Sequence, residues 1–502
     1  MKSVIIIGGG LGGLFCGAIL AKEGLSVRVI EKNPTAGGGL QTFTRFGERF
    51  DTGMHTIVGM SSDGNIRKIC DYLGITERMH IRAVDGSCCD RIFFADTRQW
   101  YEIANGREGF VDSLARYFPD ERENLLRYVD AVFELTSHVD VLNLRPSDGG
   151  VSLFAGSDDF LMPADEFIAQ FTGNPTLRSL LAYLSPLYGG KKGCTPAYVH
   201  AILSMLYIKG ASRFVGGSDK FVELLEDVIR SHGGEVITGD GVEWIEVHDR
   251  QVEFVRTVRG KVLSADYYIS AVHPCTMLRL MPEKAFPPSF RNRINSIPNA
   301  YSAFSLFIKL KPDTFPYLNF SEYYLRQASD IWSFDKPERW PVGLLLMTPP
   351  EENQPEYASK AIVTVPMLFS EVERWSNTTV GHRGDDYQRW KQEKAAQVLL
   401  LAEEIHPGFR QCVDQINTAS PLTIRDYYGS KEGALYGFSK DCNNIALSQL
   451  PVVTKVRNLF LTGQCNNLHG FCGVPLTAIN TCEAILGINY LIRKINPTES
   501  LN

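Results

Sequence analysis

The first thirty residues alternate between apolar runs and glycine. Val4–Ile7 is a continuous β-branched run, which is typical of a strand buried on both faces. After a glycine-rich turn, apolar residues recur at helical spacing from Leu14 through Ala18, and Gly24 is a suitable helix stop. Val27–Ile30 has β-branched residues at three of its four positions and predicts a second strand. The pattern therefore predicts a strand, a helix and a second strand before residue 31.

Similar patterns recur along the rest of the chain. Helices are predicted over residues 197–208, over 221–231 and from Pro475, as the first helical residue, to about 492. Strands are predicted over residues 265–271, 301–307, 342–347, 361–369 and 459–462. Strands and helices thus alternate at both ends of the chain, whereas strands dominate residues 300–370, which favours an α/β fold with a second, sheet-rich part.

Composition excludes several classes of protein. The chain has 502 residues, of which 44% are hydrophobic and 22% charged, so it can bury a large core and is not mainly disordered. This length favours two to four domains, at roughly 150 residues each. The formal net charge is −6, which makes binding to the phosphates of nucleic acids an unexpected main activity.

Cysteine and histidine spacing offers no metal or hydrolase site. The eleven cysteines contain no C-x-x-C pair, the ten histidines no H-E-x-x-H, and the chain no G-x-S-x-G. We expect buried thiols, no metal and a cytoplasmic protein. The longest uncharged segment, between Lys192 and Lys209, is shorter than the roughly 20 residues of a spanning helix. It predicts a buried helix, and peripheral contact with the inner membrane face stays open.

The first turn carries a dinucleotide-binding pattern. Gly8, Gly10 and Gly13 form G-x-G-x-x-G between the predicted strand and helix. In such a site the first glycine permits the turn, the second lets the backbone approach a pyrophosphate, and the third lets the helix pack on the strand. The helix N-terminus attracts the phosphates. Glu31, at the end of the second strand, is placed to accept ribose hydroxyls and would repel a 2′-phosphate, which disfavours NADP.

Flanking segments resemble one family of flavoproteins. Glu31–Thr42 is similar to the continuation of this pattern in flavoproteins with two dinucleotide-binding domains, and Phe50–His55 resembles the F-D-T-G-x-H segment of carotenoid desaturases, carotenoid isomerases and retinol saturases. Many relatives carry a basic residue where this chain has Gly39 or Leu40. The resemblance implies an FAD cofactor, held on this side by Gly8, Gly10, Leu11, Gly13, Glu31, Lys32, Gly37, Gly38, Gly39 and Leu40.

Later segments resemble the same family. Leu459–Gln464 is similar to its L-x-L-T-G-Q strand and turn, and Gly470–Pro475 to the start of its final flavin-facing helix. The resemblance implies that this helix start stabilises negative charge at the N1–C2=O edge of a reduced flavin. It adds Val242, whose backbone would lie against the adenine, and Gly463, Gln464, Gly473 and Val474 to the cofactor-binding residues.

Because these motifs are scattered, the cofactor domain must be discontinuous. We expect a Rossmann-like FAD-binding domain formed by residues 1–80, 211–298 and 416–502. Residues 81–210 and 299–415 would form an α+β substrate domain with an antiparallel sheet, suited to a long apolar ligand over the flavin.

The predicted activity follows from the cofactor. We expect an FAD-dependent oxidoreductase that acts on carbon–carbon double bonds of a polyene or isoprenoid-like substrate, as saturase, desaturase or isomerase, by hydride transfer at flavin N5. An amine oxidase-like flavoenzyme and a non-catalytic protein similar to GDP dissociation inhibitors are the alternatives. Glu432, His55 and His469 are candidate proton donors. Neither a definite catalytic residue nor the electron partner can be assigned.

Overall fold

The computed structural model describes residues 1–53, 55–146, 158–353, 356–466 and 468–497. Its strands are β1 (Ser3–Ile7), β2 (Ser26–Ile30), β3 (Thr42–Arg45), β4 (Glu48–Asp51), β5 (Ile57–Val58), β6 (Ile81–Ala83), β7 (Asp90–Phe94), β8 (Gln99–Ile103), β9 (Ala211–Phe214), β10 (Glu235–Ile237), β11 (Val242–His248), β12 (Gln251–Thr257), β13 (Val262–Leu263), β14 (Tyr267–Ser270), β15 (Ser302–Leu310), β16 (Ser321–Leu325), β17 (Gly343–Met347), β18 (Lys360–Met367), β19 (Val413–Ala419) and β20 (Leu459–Leu461).

The α-helices of the same ranges are α1 (Leu11–Lys22), α2 (Asn65–Leu73), α3 (Arg107–Ala115), α4 (Arg122–Ser137), α5 (Asp140–Asn143), α6 (Ala164–Ala169), α7 (Pro175–Leu181), α8 (Ala197–Lys209), α9 (Asp219–Ser231), α10 (Pro274–Arg279), α11 (Pro288–Ser296), α12 (Asp385–Ile405), α13 (Phe409–Cys412), α14 (Pro421–Tyr428), α15 (Ile445–Ser448), α16 (Gly470–Leu486) and α17 (Tyr490–Ile495). Across the described ranges, no helix combines the length and the apolar character needed to cross a membrane.

A parallel five-stranded sheet forms the cofactor side of the molecule. Its strand order is β10-β2-β1-β14-β20, and every neighbouring pair is parallel. Helix α1 packs against α9 and α16. The continuous apolar run Val4–Ile7 lies in β1, the central strand of the sheet, and is buried on both faces. The sheet thus combines strands from three separate stretches of chain, and the exact boundaries at residues 80, 211, 299 and 416 stay predictions.

The second sheet is seven-stranded and mostly antiparallel. Its order is β19-β15-β18-β17-β16-β7-β8, in which only β16 and β7 pair in parallel. Alternate side chains of its strands face opposite sides. Leu344 and Leu346 pack with Val398 and Leu401 of α12 in one hydrophobic cluster, whereas Leu345 faces a cavity on the other side. The mixed α/β class with an antiparallel sheet is therefore confirmed.

The C-terminal helix differs from its prediction. It begins at Gly470, five residues before Pro475, so Pro475 lies inside the helix, and it ends at Leu486. Gly487, with φ of 120°, ends it, and the separate helix α17 follows. As the sixth helical residue, Pro475 lacks the N–H that would donate to the Phe471 carbonyl, so the helix has one hydrogen bond fewer in its second turn. The prediction of one helix from 475 to 492 is therefore wrong at both ends.

Candidate cofactor and substrate site

The turn between β1 and α1 has the geometry of a phosphate-binding loop. Gly8 has φ of 104°, which favours glycine, and its N–H donates to the Ile30 carbonyl at 2.9 Å. A Cβ on Gly13 would lie 2.0 Å from the Gly8 carbonyl oxygen, so this position requires glycine for packing. A Cβ on Gly10 would meet no atom within 4 Å. Gly10 therefore leaves open space above the N-terminus of α1.

Glu31 is held at the end of β2 by two backbone donors. The Gly9 N–H donates to its Oε2 at 2.8 Å, and the Asn33 N–H donates to its Oε1 at 2.8 Å. The residue is only 6% exposed and lines the cavity described next. Each carboxylate oxygen can accept more than one hydrogen bond, so both retain capacity for ribose hydroxyls.

One cavity of about 590 Å³ joins the phosphate loop to the large sheet. It is lined by fourteen of the fifteen predicted cofactor-binding residues: Gly8, Gly10, Leu11, Glu31, Lys32, Gly37, Gly38, Gly39, Leu40, Val242, Gly463, Gln464, Gly473 and Val474. Gly13 is absent from the lining because it packs α1 on β1. The structure thus brings these residues together, and their contacts with FAD stay a prediction.

The far part of this cavity is mainly apolar, and we call it the chamber. Its lining comes from one face of α8 and one face of the large sheet. On α8 these residues include Val199, Ile202 and Leu206, and on the sheet they include Leu345 and Met347. The uncharged helix predicted from its sequence therefore forms a wall of the cavity. A ligand lying over the phosphate loop would share the cavity with an apolar molecule.

Two of the three predicted proton donors line the cavity. Burial, together with a smaller effect of the Lys440 charge, lowers the pKa of His469 to about 4. Burial also lowers the pKa of His55. Both imidazoles are therefore neutral at pH 7. Glu432 is not in the lining, and its carboxylate accepts from Asn299 Nδ2 at 3.2 Å.

Sequence reasoning missed a buried cation in this cavity. Lys440 is 8% exposed and lines it, and burial lowers the pKa of its ammonium to about 8. Its Nζ donates to the Ser448 carbonyl at 3.3 Å, and no carboxylate of the described residues lies within ion-pair distance. No sequence signal distinguishes this lysine from a surface one, because its burial depends on distant segments.

Two sequence motifs lie in the N-terminal and the C-terminal part of the chain. The Phe50–His55 segment includes Met54, which lies outside the described residues. At the other end, Gly473 and Val474 line the cavity from the first turns of α16. A Cβ on Gly473 would lie 2.5 Å from Leu468 Cβ, so this glycine is required by the chain that leads into the helix.

Comparison with known proteins extends the resemblance to the whole chain. The family described as NAD(P)-binding Rossmann-like domain matches residues 6–73. All-trans-retinol 13,14-reductase of Rattus norvegicus is 27% identical, over 97% of this chain and 86% of that protein. The 4,4'-diaponeurosporene oxygenase of Staphylococcus aureus is 23% identical over 97% and 98%, and the chloroplastic prolycopene isomerase 2 of an Oncidium hybrid cultivar is 22% identical over 86% and 74%.

Solved structures share the fold. An oxidoreductase from Methanosarcina mazei superposes with a TM-score of 0.64 at 16% identity, over 96% of this chain and 100% of that one. Cyclohexylamine oxidase from Brevibacterium oxydans gives a TM-score of 0.63 at 16% identity, over 98% and 99%. The full-length relatives therefore support the carotenoid desaturase and retinol saturase-like flavoprotein family, and the solved structures share the fold of this chain.

Proposed function

We propose that the protein is an FAD-dependent oxidoreductase that acts on carbon–carbon double bonds of an apolar polyene or isoprenoid-like substrate. The observation that carries this proposal is the single cavity, which joins a dinucleotide cradle to a mainly apolar chamber. The cradle would hold the cofactor, and the chamber would hold a long hydrocarbon chain beside it.

The residues of the cradle suit FAD. Gly10 leaves room for a pyrophosphate at the N-terminus of α1, whose backbone N–H groups would bind it. Glu31 would accept the ribose hydroxyls. At the other end, Gly473 and Val474 belong to the N-terminal part of α16, which favours negative charge nearby. When bound, FAD supplies two-electron chemistry by accepting or donating a hydride at N5.

The chain's own contribution is binding, orientation and exclusion of water. Apolar side chains of α8 and the large sheet surround the chamber, so a polyene would displace water from it. His55 and His469 are neutral at pH 7, so each can accept a proton, but neither is an imidazolium that could donate one. A saturase would add a proton to the carbon of the double bond that does not receive the hydride. Neither of these two histidines can be the cationic source of that proton.

Two other functions are less well supported. A protonated amine substrate would need a carboxylate partner, and among the described residues that line the cavity Glu31, in the cradle, is the only acid. A non-catalytic protein similar to GDP dissociation inhibitors would not need the complete set of Gly8, Gly10, Gly13 and Glu31. Peripheral contact with a membrane, from which an apolar substrate would enter, stays a prediction. The electron partner stays unassigned.

The test begins with the cofactor. The purified protein, reconstituted with FAD if necessary, should absorb at about 450 nm, as protein-bound flavin does. Gly10→Val should abolish this absorbance without unfolding the protein, because the added side chain enters open space. A protein that stays colourless in excess FAD would refute the proposal.

The substrate test follows on the yellow protein. The oxidised form and the dithionite-reduced form should each be incubated without oxygen with polyene alcohols, carotenes and primary amines. Mass analysis should show a gain or loss of two hydrogens, or an isomer of unchanged mass, for a polyene only. Conversion of an amine to an aldehyde, with all polyenes unchanged, would support the amine oxidase alternative instead.

A further inference from the structure

Three phenols with accessible, unpaired hydroxyls interrupt the apolar lining of the chamber. Tyr207 lies on α8, Tyr323 on β16, and Tyr436 in the segment after α14. Tyr207 is 8% and Tyr323 4% exposed. Among the residues that the structure describes, none of the three hydroxyls has a hydrogen-bond partner within the protein. We call them the phenol cluster, because all three line the same cavity with unpaired hydroxyls.

An unpaired buried hydroxyl is unfavourable. Transfer of a hydroxyl from water to an apolar site without a new hydrogen bond costs free energy, so buried phenols usually find a partner. Tyr183 donates to Asp90 at 2.9 Å, and Tyr128 pairs with His200 at 2.8 Å. Tyr198, which also lines the cavity, has an unpaired hydroxyl that is fully buried. The phenol cluster differs from all of these because its unpaired hydroxyls keep accessible surface at the chamber.

The surroundings of the cluster favour an uncharged ligand atom. Burial and the nearby Asp90 carboxyl raise the pKa of Tyr207 and Tyr323 far above the usual range, so both phenols remain protonated. The guanidinium of Arg213 does not line the cavity, and its two terminal nitrogens donate to the Leu318 and Thr348 carbonyls and to Ser321 Oγ. At the phenol cluster an anionic ligand would therefore meet the Asp90 carboxyl, whereas the lysines of the cavity lining, Lys32 and Lys440, are assigned to the cofactor.

We propose that Tyr207, Tyr323 and Tyr436 bind the uncharged oxygen, a hydroxyl or a carbonyl, at one end of the polyene substrate. This inference rests on the proposed function and narrows it. A hydrocarbon would leave the three phenols unpaired, whereas an oxygenated polyene would pair them. The phenol cluster therefore determines specificity, because a site with buried polar groups discriminates against the analogue that lacks their partner.

The test compares two ligands that differ by one oxygen. The FAD-loaded protein is titrated with an all-trans C20 polyene alcohol and with the same polyene lacking the hydroxyl, and binding is followed by quenching of intrinsic fluorescence. The wild type should bind the alcohol at least about tenfold more tightly, as expected for one or two neutral hydrogen bonds. Tyr207→Phe combined with Tyr323→Phe should remove this preference and leave the affinity for the hydrocarbon unchanged.

Tyr324→Phe is the matched control. Tyr324 is the next residue on the same strand, but it packs in the hydrophobic cluster on the other face of the sheet and donates to Glu404 at 2.5 Å. It should keep the full preference for the alcohol. Melting temperatures of the variants would show whether either change disturbs the fold.

Four results would overturn the inference. It fails if the wild type binds the two ligands equally or if the double variant loses affinity for both. It also fails if Tyr324→Phe loses the preference for the alcohol, or if the corresponding carboxylic acid binds more tightly than the alcohol. If FAD and the hydrocarbon bind and the hydrocarbon is converted, only this inference fails. If neither FAD nor any polyene binds, the proposed function fails with it.

Discussion

Lys440 provides the sharpest test of the cofactor site. Its ammonium group is buried beside the cavity without a carboxylate partner among the described residues, and its pKa falls from 10.5 to about 8. At about 1.4 kcal/mol per pKa unit, the buried charge costs the folded protein about 3 kcal/mol. We infer that the Lys440 ammonium stays buried, in spite of this free-energy cost, because it binds an anionic group of the cofactor.

Lys440→Met separates these two effects. Without cofactor, the variant should be more stable than the wild type at pH 7 by up to about 3 kcal/mol, because the buried charge is gone. Its affinity for FAD should fall about tenfold to a hundredfold, because a hydrogen bond to a charged group is lost. Urea unfolding of the cofactor-free protein measures the first effect, and titration with FAD measures the second.

The pH dependence has a definite sign. Below pH 8 both the folded and the unfolded wild type carry the proton on Lys440, so the cost is complete. Between pH 8 and 10.5 the folded protein releases this proton while the unfolded chain keeps it. The unfolded state then binds more protons, and the free energy of unfolding rises with pH. This contribution should be missing in Lys440→Met.

A second lysine serves as the control. Burial and the charge of Arg383 lower the pKa of Lys391 to about 8 as well, but its Nζ donates to the Thr418 carbonyl at 2.7 Å and it does not line the cavity. Lys391→Met should leave FAD affinity unchanged. The reasoning is refuted if Lys440→Met is no more stable at pH 7 and keeps the wild-type pH slope. Equal FAD affinity in wild type and variant would remove Lys440 from the site.

Three other predictions follow from the site and the core. Gly13→Ala should lower the melting temperature of the cofactor-free protein, because its Cβ would lie 2.0 Å from the Gly8 oxygen. Gly10→Ala should leave the melting temperature unchanged and weaken FAD binding. Equal melting temperatures of the two variants would contradict this prediction. Glu31→Gln should weaken FAD binding about tenfold to a hundredfold in equilibrium dialysis, by loss of a charged acceptor, and unchanged retention would exclude Glu31 from the ribose site. Burial lowers the pKa of His200 from 6.5 to about 3, so the free energy of unfolding should fall as pH falls through this range, because the unfolded chain takes up the proton first. His200→Gln should flatten this part of the pH dependence measured by urea unfolding. An identical pH dependence in the variant would refute the assignment.

Some of the site was accessible from the sequence because its determinants are local. Gly8, Gly13 and Glu31 act within the first strand–helix–strand unit, where the Gly13–Gly8 packing and the Gly9–Glu31 hydrogen bond involve fewer than 25 intervening residues. The spacing of these residues therefore determines the turn, the helix start and the position of the acid. The continuous apolar run of β17 likewise indicated a strand covered on both faces.

Tertiary structure alone decided the rest. Lys440, Tyr207 and Tyr323 look like ordinary residues in the sequence, and only the packing of segments more than a hundred residues apart buries them around one cavity. The start of α16 differs for another reason: Pro475 is typical of a first helical position, but the helix begins five residues earlier, at Gly470. Backbone turns depend on neighbours in the chain, whereas burial and charge pairing depend on neighbours in space. The sequence therefore determined where a dinucleotide could bind, and the fold decided which side chains meet it.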